Sequence, residues 1–123
     1  PYTNDFKLQP TECIISQEGK SISIYARNTK IREHVSILVN SLDNVITEGK
    51  YSLNSDRYFW GSYDKPSGDF ITGNGYEGVL EIIKIDRSIK KMTGKFYFNC
   101  HNKENNETLS ITEGEFNIKY LEY

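Results

Sequence analysis

The side chains best suited to binding a ligand are concentrated within residues 58–69. Three aromatic rings, Tyr58, Trp60 and Tyr63, are followed by two carboxylates, Asp64 and Asp69, on either side of a Pro-Ser-Gly turn. An aromatic ring held on a strand can stack against a sugar ring or a peptide. We therefore interpret these five residues as a candidate ligand site. The simpler, competing interpretation is that aromatic residues are good strand formers and fill a core.

Catalytic patterns are absent from the rest of the sequence, and we expect the protein not to be an enzyme. There is no G-x-S-x-G nucleophile motif. Cys100 and His101 are neighbours, but adjacent strand residues point to opposite faces, so the imidazole should not activate that thiol. A hydrolase built on converging carboxylates stays open as an alternative, because such pairs are spatial rather than sequential.

Neither a metal nor a cofactor is predicted. His34 and His101 are the only histidines, and neither has a second ligand at the spacing of a metal site. We expect both to be exposed loop residues. Asp64 and Asp69 could also serve a calcium ion, but their spacing fits no dedicated loop, and a polar turn is the simpler interpretation.

The charge balance argues against nucleic acid as a partner. Fifteen basic and seventeen acidic residues give a net charge of −2, and the two signs are interspersed. Phosphate binding needs a concentrated basic surface. The densest basic stretch, residues 84–95, is expected to be the solvated edge of a hairpin. No apolar run approaches the roughly 20 residues that cross a bilayer as a helix.

Two cysteines, Cys13 and Cys100, lie near opposite ends of the chain. Two are too few for a disulfide framework, and neither belongs to a metal-binding pattern. Two buried thiols are the plain expectation, since free cysteine behaves as a small hydrophobe. A bridge between them would suit an exported protein and stays open.

A period of two in the apolar residues predicts an all-β fold. Alternation is clear in residues 21–27, 35–39 and 92–101, and turn residues recur every eight to twelve positions. We expect one domain over residues 1–123, with about eight antiparallel strands in a sandwich or barrel and residues 1–11 extended. The best candidate for a helix is the short segment of residues 29–34.

The alternation also predicts the core and one irregularity. Ile111 and Phe116 are five residues apart, so an extra residue at Gly114, a β-bulge, is needed to put both on one face. The side chains that we expect to be mostly buried are Ile22, Ile24, Val35, Ile37, Val39, Leu80, Ile82, Phe96, Phe98, Phe116 and Ile118.

Four segments carry a resemblance to a known family. They read GKYSL (residues 49–53), GVLEIIKID (78–86), MTGKFYF (92–98) and LSITEGEFNIKY (109–120). These segments resemble a family of small Bacteroidetes lipoproteins catalogued as a domain of unknown function. The resemblance implies a location outside the inner membrane, with a lipidated cysteine upstream of Pro1 as the only link to the membrane. It implies no substrate, cofactor or catalytic residue.

Three functions remain open from the sequence. The first is a non-enzymatic, extracytoplasmic binding or surface domain that takes a glycan or a peptide. The second is a small-ligand carrier of β-barrel type, with aromatic side chains lining its interior, and the third is a hydrolase. Exposure of Trp60 distinguishes a surface site from an interior one. The oligomeric state and the ligand's identity are left open.

Overall fold

The computed structural model describes residues 2–5, 12–28, 33–55 and 57–123, and this part of the chain is all β, with 67% strand and no helix. In these residues no helix is long and apolar enough to cross a membrane. The strands are β1 (Tyr2–Asp5), β2 (Glu12–Ser16), β3 (Ser21–Asn28), β4 (Glu33–Asn40), β5 (Gly49–Leu53), β6 (Phe59–Lys65), β7 (Gly68–Ile71), β8 (Gly78–Asp86), β9 (Lys91–His101), β10 (Thr108–Lys119) and β11 (Leu121–Glu122).

The predicted strands are all present, with boundaries shifted by a few residues, and short strands are added at both ends. β1 lies within the N-terminal stretch that was expected to be extended. The proposed helix at residues 29–34 lies mostly outside the described residues. Its last two residues, Glu33 and His34, open β4 and pair with β3, so these two are strand rather than helix.

All strands belong to one mixed sheet that branches at β9. One edge of β9 carries β10 and then β1. The other edge is shared: residues 91–98 pair with β8, which carries β5, whereas His101 pairs with Ile71 of β7. From β7 the sheet continues through β6, β4, β3 and β2 to β11.

The hydrogen-bonded path returns close to its start because β11 follows β10 after one residue. That residue, Tyr120, is buried and donates its backbone N–H to the carbonyl oxygen of Lys90, 2.8 Å away. β11 then pairs with β2. The sheet is thereby rolled around a single core, which is consistent with the expected sandwich or barrel.

Two strand pairs contradict the expectation of purely antiparallel pairing. β1 runs parallel to β10, and β11 runs parallel to β2. Neighbours joined by a tight turn must be antiparallel, whereas these partners are far apart in the chain and are free of that restriction. The missing crossover helices therefore did not exclude parallel pairs at the ends of the chain.

The predicted core is confirmed with one exception, since Ile118 is only half-buried against it. The bulge is confirmed as well: the β9–β10 register shifts between Ile111 and Gly114, so that two residues of β10 lie opposite one of β9. Ile111 and Phe116 both point inward as a result. Cys13 and Cys100 are free and buried, and burial raises the pKa of each thiol to about 12.

Phenylalanine rings occupy the space that inward-facing glycines leave open. Phe116 lies opposite Gly94 on the neighbouring strand, and its ring fills the position that a Cβ at Gly94 would take. Phe96 lies over Gly114 in the same way. A side chain at these glycines would collide with the rings, so both positions require glycine.

We expect Phe98→Ala to lower the free energy of unfolding by about 3–5 kcal/mol, because this fully buried ring would leave a cavity. Denaturant titration followed by circular dichroism measures the change. The control is Tyr97→Ala, which removes a neighbouring ring that is 55% exposed and should cost far less. A loss under about 1 kcal/mol for Phe98→Ala would place this ring at the surface.

We expect Gly94→Ala to destabilise the protein by about 2–3 kcal/mol, since the new methyl group would overlap the carbonyl oxygen of Glu81 as well as the Phe116 ring. Because one of these groups is backbone, Phe116→Leu in the same chain should not restore stability. The same denaturant titration tests both variants. Full recovery in the double variant would show that the ring alone excludes the methyl group.

Candidate functional site

A cleft of about 460 Å³ lies on the outer face of the sheet, where β6, β7 and the turn of residues 102–107 meet. Pockets for small ligands usually have volumes of roughly 300–1,000 Å³, so this cleft is large enough for a ligand. It is lined by Trp60, Ser62, Asp64, Gly68, Asp69, Phe70, Ile71, Asn102, Lys103 and Glu104.

The alternation of side chains along β6 determines which of its residues line the cleft. Trp60, Ser62 and Asp64 share one face of the strand, and that face is the outer one. Trp60 is half-buried, with part of its indole left to the cleft. The intervening Tyr63 points into the core.

The 102–107 turn forms the opposite wall and is held by Asn102, which is 5% exposed. Its backbone N–H donates to the carbonyl oxygen of Glu107 at 2.9 Å, and its Oδ1 accepts the N–H of Glu104 at 2.8 Å. Its Nδ2 would lie 2.5 Å from a Cβ at Gly68, whose φ is +156°. Glycine at this position therefore allows the turn to approach β7 closely.

Three titratable side chains form a row across the strands at the cleft. His34 of β4 pairs with Asp64 of β6, and Asp64 pairs with Asp69 of β7. The Nε2 atom of His34 lies 2.7 Å from Oδ2 of Asp64. The Asp64 and Asp69 side chains are on the same face of adjacent strands, close enough for their carboxyl groups to interact.

The pKa of Asp64 is raised above its ordinary value of 3.8. Partial burial is the largest cause, and repulsion by the Asp69 carboxylate is the next. His34 acts in the opposite direction but does not cancel them. Both causes disfavour the ionised form of Asp64, so this carboxyl group holds a proton more tightly than a free aspartate does.

Three of the five predicted site residues line the cleft: Trp60, Asp64 and Asp69. Tyr58 is 45% exposed and precedes β6, but it does not line the cleft. Tyr63 was placed wrongly, because it is fully buried and its ring packs edge-on against Phe70 at 6.4 Å. Tyr63 is three residues after Trp60 on β6, so its side chain points to the inner face while that of Trp60 points to the outer face.

Sequence reasoning missed the far wall of the cleft and the histidine beside it. Asn102, Lys103 and Glu104 come from a turn more than 30 residues after Asp69, and nothing local in the sequence pairs the two segments. His34 enters the site through the β4–β6 register. No signal in a single sequence specifies that register.

The expectation that both histidines are exposed loop residues is wrong. His34 lies in β4, and its side chain is 45% exposed. His101 ends β9 and is 7% exposed. Its ring stacks on Tyr76 at 4.5 Å, and its Nδ1 lies 3.0 Å from the carbonyl oxygen of Ile71. The described residues contain no group of three or more His, Cys, Asp or Glu side chains that could hold a metal ion.

Taken together, the fold and the cleft define a small all-β protein with an aromatic and acidic surface site. The chain belongs to the family of the domain of unknown function DUF6252, whose profile matches residues 6–118. Neither the curated proteins nor the solved structures contain a significant match to this chain. Family membership therefore agrees with the resemblance in its central point, a domain whose function is not established.

We expect Asp69→Asn to lower the pKa of Asp64, because it removes the repulsion, and His34→Ala to raise that pKa further, because it removes the ion pair. Carboxyl ¹³C chemical shifts recorded against pH report the titration of Asp64. Asp86→Asn, which changes a carboxylate at the end of β8 and outside the cleft, serves as the control.

The same shift predicts a contribution to the pH dependence of stability. Between pH 3.8 and the raised pKa, folded Asp64 retains a proton that the unfolded chain releases. Its contribution to the free energy of unfolding therefore decreases as the pH rises through that interval. The decrease should be smaller in Asp69→Asn, and an unchanged Asp64 titration in that variant would contradict the assigned repulsion.

Proposed function

We propose that this protein is a non-enzymatic binding domain that holds a glycan or a peptide in the cleft beside Trp60. The observation that carries the proposal is the composition of this cleft: a partly exposed indole faces hydrogen-bonding groups from β6, β7 and the 102–107 turn. An aromatic ring gives contact area at small entropic cost, and carboxylate and amide groups then orient the ligand.

An outer site is favoured over the interior site of a barrel-type carrier. The inward rings pack against one another: Phe96 lies 6.4 Å from Phe98 and 6.5 Å from Phe116 between ring centroids. All three are buried in one continuous core. Packing of this kind supports an interior filled by side chains, which favours a ligand site on the surface.

The carboxyl geometry supports binding rather than hydrolysis. Glycosidases hold their two carboxyl groups about 5 Å or more apart, so that the sugar and the nucleophile fit between them. Asp64 and Asp69 are instead directly opposite each other on neighbouring strands, and their carboxyl groups are close enough to interact. In this arrangement the two side chains can offer hydrogen bonds together to a ligand on the cleft side.

We also propose that the domain works outside the inner membrane and reaches the membrane only through a lipid anchor upstream. The support is the resemblance of four strand segments to small extracytoplasmic lipoproteins. Nucleic acid is not part of the proposal, since the fifteen basic and seventeen acidic residues are interspersed.

The test uses Trp60 as both probe and target, because it is the only tryptophan in the chain. Cellohexaose, maltohexaose, chitohexaose and a set of pentapeptides are titrated while its fluorescence is recorded. We expect at least one to change the emission, and Trp60→Ala to abolish binding of that compound, measured by calorimetry. Stability should fall by only about 1–2 kcal/mol, since the ring is half-buried on the outer face.

Tyr97→Ala is the matched control, because it removes an exposed ring from the outer face of β9, outside the cleft. It should leave binding unchanged. If Trp60→Ala unfolds the protein, Trp60 is a core residue and the cleft proposal fails. If none of the compounds alters the emission or gives heat on titration, the proposal fails as well.

A further inference from the structure

We propose that the ligand of this cleft is an extended, basic peptide, which adds a strand to the free edge of β7 and places a Lys or Arg side chain opposite Asp69. This inference rests on the proposed function and specifies its ligand class. Peptides that add a strand obtain affinity from main-chain hydrogen bonds and specificity from alternate side chains.

The hydrogen-bonding pattern of the β6–β7 hairpin shows which backbone groups of β7 point away from β6. The N–H of Thr72 donates to the carbonyl oxygen of Gly61 at 3.0 Å. Antiparallel pairs alternate between hydrogen-bonded and non-hydrogen-bonded, so Phe70, two residues earlier, again bonds to β6. The residues that alternate with them, Ile71 and Asp69, direct their N–H and C=O groups to the other side.

The partner of Ile71 supports this assignment and marks where the edge becomes free. Ile71 pairs with His101 at the end of β9. That single pair is the whole β7–β9 ladder in the described residues, because the chain then enters the 102–107 turn, where the N–H of Asn102 bonds to Glu107. The backbone of Asp69, the next outward-directed position, faces the cleft instead of a strand.

A free strand edge beside a cleft is a template for another chain. Asp69 is the residue of this segment that directs its backbone groups to the cleft, because its neighbours Gly68 and Phe70 bond to β6. The cleft is bounded by this edge on one side and by Asn102, Lys103 and Glu104 on the other. A guest strand would continue the sheet at the place where β9 leaves it.

The charges at this edge select a basic side chain. Asp64, Asp69 and Glu104 line the cleft against one basic residue, Lys103. The guest residue that bonds to the backbone of Asp69 also has its side chain on the same face as the Asp69 carboxylate. Opposite charges stabilise such cross-strand pairs, and like charges destabilise them.

The electrostatic state of the acid pair favours the same choice. Asp64 is flanked by His34 on β4 and by Asp69 on β7, and its pKa is raised by burial and by Asp69. A cation placed beside the two carboxyl groups would relieve their repulsion. Trp60 on the same outer face offers its ring to the aliphatic stem or the charge of a Lys or Arg side chain.

The experiment compares three peptides on the full chain. The first is acetyl-Ala-Thr-Lys-Thr-Ala-amide, the second has Gln in place of Lys, and the third is methylated on the backbone nitrogen of Lys. Two signals in ¹H–¹⁵N NMR spectra report binding: the backbone amide of Asp69 and the indole N–H of Trp60. Cellohexaose and chitohexaose are titrated in parallel.

We expect the lysine peptide to shift both signals, the glutamine peptide to bind about fivefold more weakly, and the methylated peptide not to bind. In Asp69→Asn the preference for lysine over glutamine should be lost. Asp86→Asn removes a carboxylate outside the cleft and should preserve that preference.

The outcomes separate this inference from the proposed function. If an oligosaccharide shifts the indole N–H signal of Trp60 and the lysine peptide does not, the inference that the ligand is a peptide is overturned. The proposed binding function then stands. If neither the peptides nor the oligosaccharides shift the Trp60 indole signal or the Asp69 amide signal, the peptide inference and the proposed binding function both fail. Equal binding of the lysine and glutamine peptides overturns the charge selection, and undiminished binding of the methylated peptide overturns strand addition.

Discussion

The packing of phenylalanine rings against glycines on neighbouring strands is the constraint on which the rest of this structure depends. Phe98, Phe96 and Phe116 form a row of roughly parallel rings in the core, with interplanar angles of 25° and 30°. Each ring takes the space of a missing side chain, and the Phe98 ring approaches the Cβ position of Gly61 to 2.8 Å. Glycine lets the strands bend where the rings need room, so the sheet can roll.

The rolled sheet explains why β9 has two partners along one edge. β8 follows residues 91–98 of β9, and β7 meets it only at His101. β7 and β6 therefore diverge from β8 and β5 as they leave β9. The free edge of β7 and the cleft beside it are consequences of this divergence, which the core packing imposes. The candidate site is in this sense a property of the whole sheet rather than of one motif.

The parts of the fold that follow from local pattern were predictable from the sequence. Alternation identified the long strands, and the spacing of Ile111 and Phe116 located the bulge, because side-chain direction depends on near neighbours only. The same rule would have assigned Tyr63 to the core, since it differs in parity from Trp60. Tyr63 belongs to the aromatic cluster in the sequence, but the alternation along β6 decides which face its ring takes.

Features that depend on long-range pairing were not predictable in this way. The meeting of Asp69 with the 102–107 turn requires the β6–β7 hairpin to reach the end of β9, and that is decided by the sheet as a whole. The parallel pairs of β1 and β11 are of the same kind. A single sequence specifies the faces of its strands well and their order poorly.

The acid pair at the cleft is difficult to explain as a device for stability. Burial, together with the neighbouring Asp69 carboxylate, raises the pKa of Asp64, so the fold is less favourable to its ionised form than water is. The ion pair between His34 and Asp64 offsets little of this unfavourable free energy, because its side chains are 45% and 26% accessible to solvent. Carboxyl groups with a shifted pKa are concentrated at functional sites. A carboxyl group whose ionised form the fold disfavours can gain from a ligand that favours this form, and the basic peptide proposed above would supply the cation at this position.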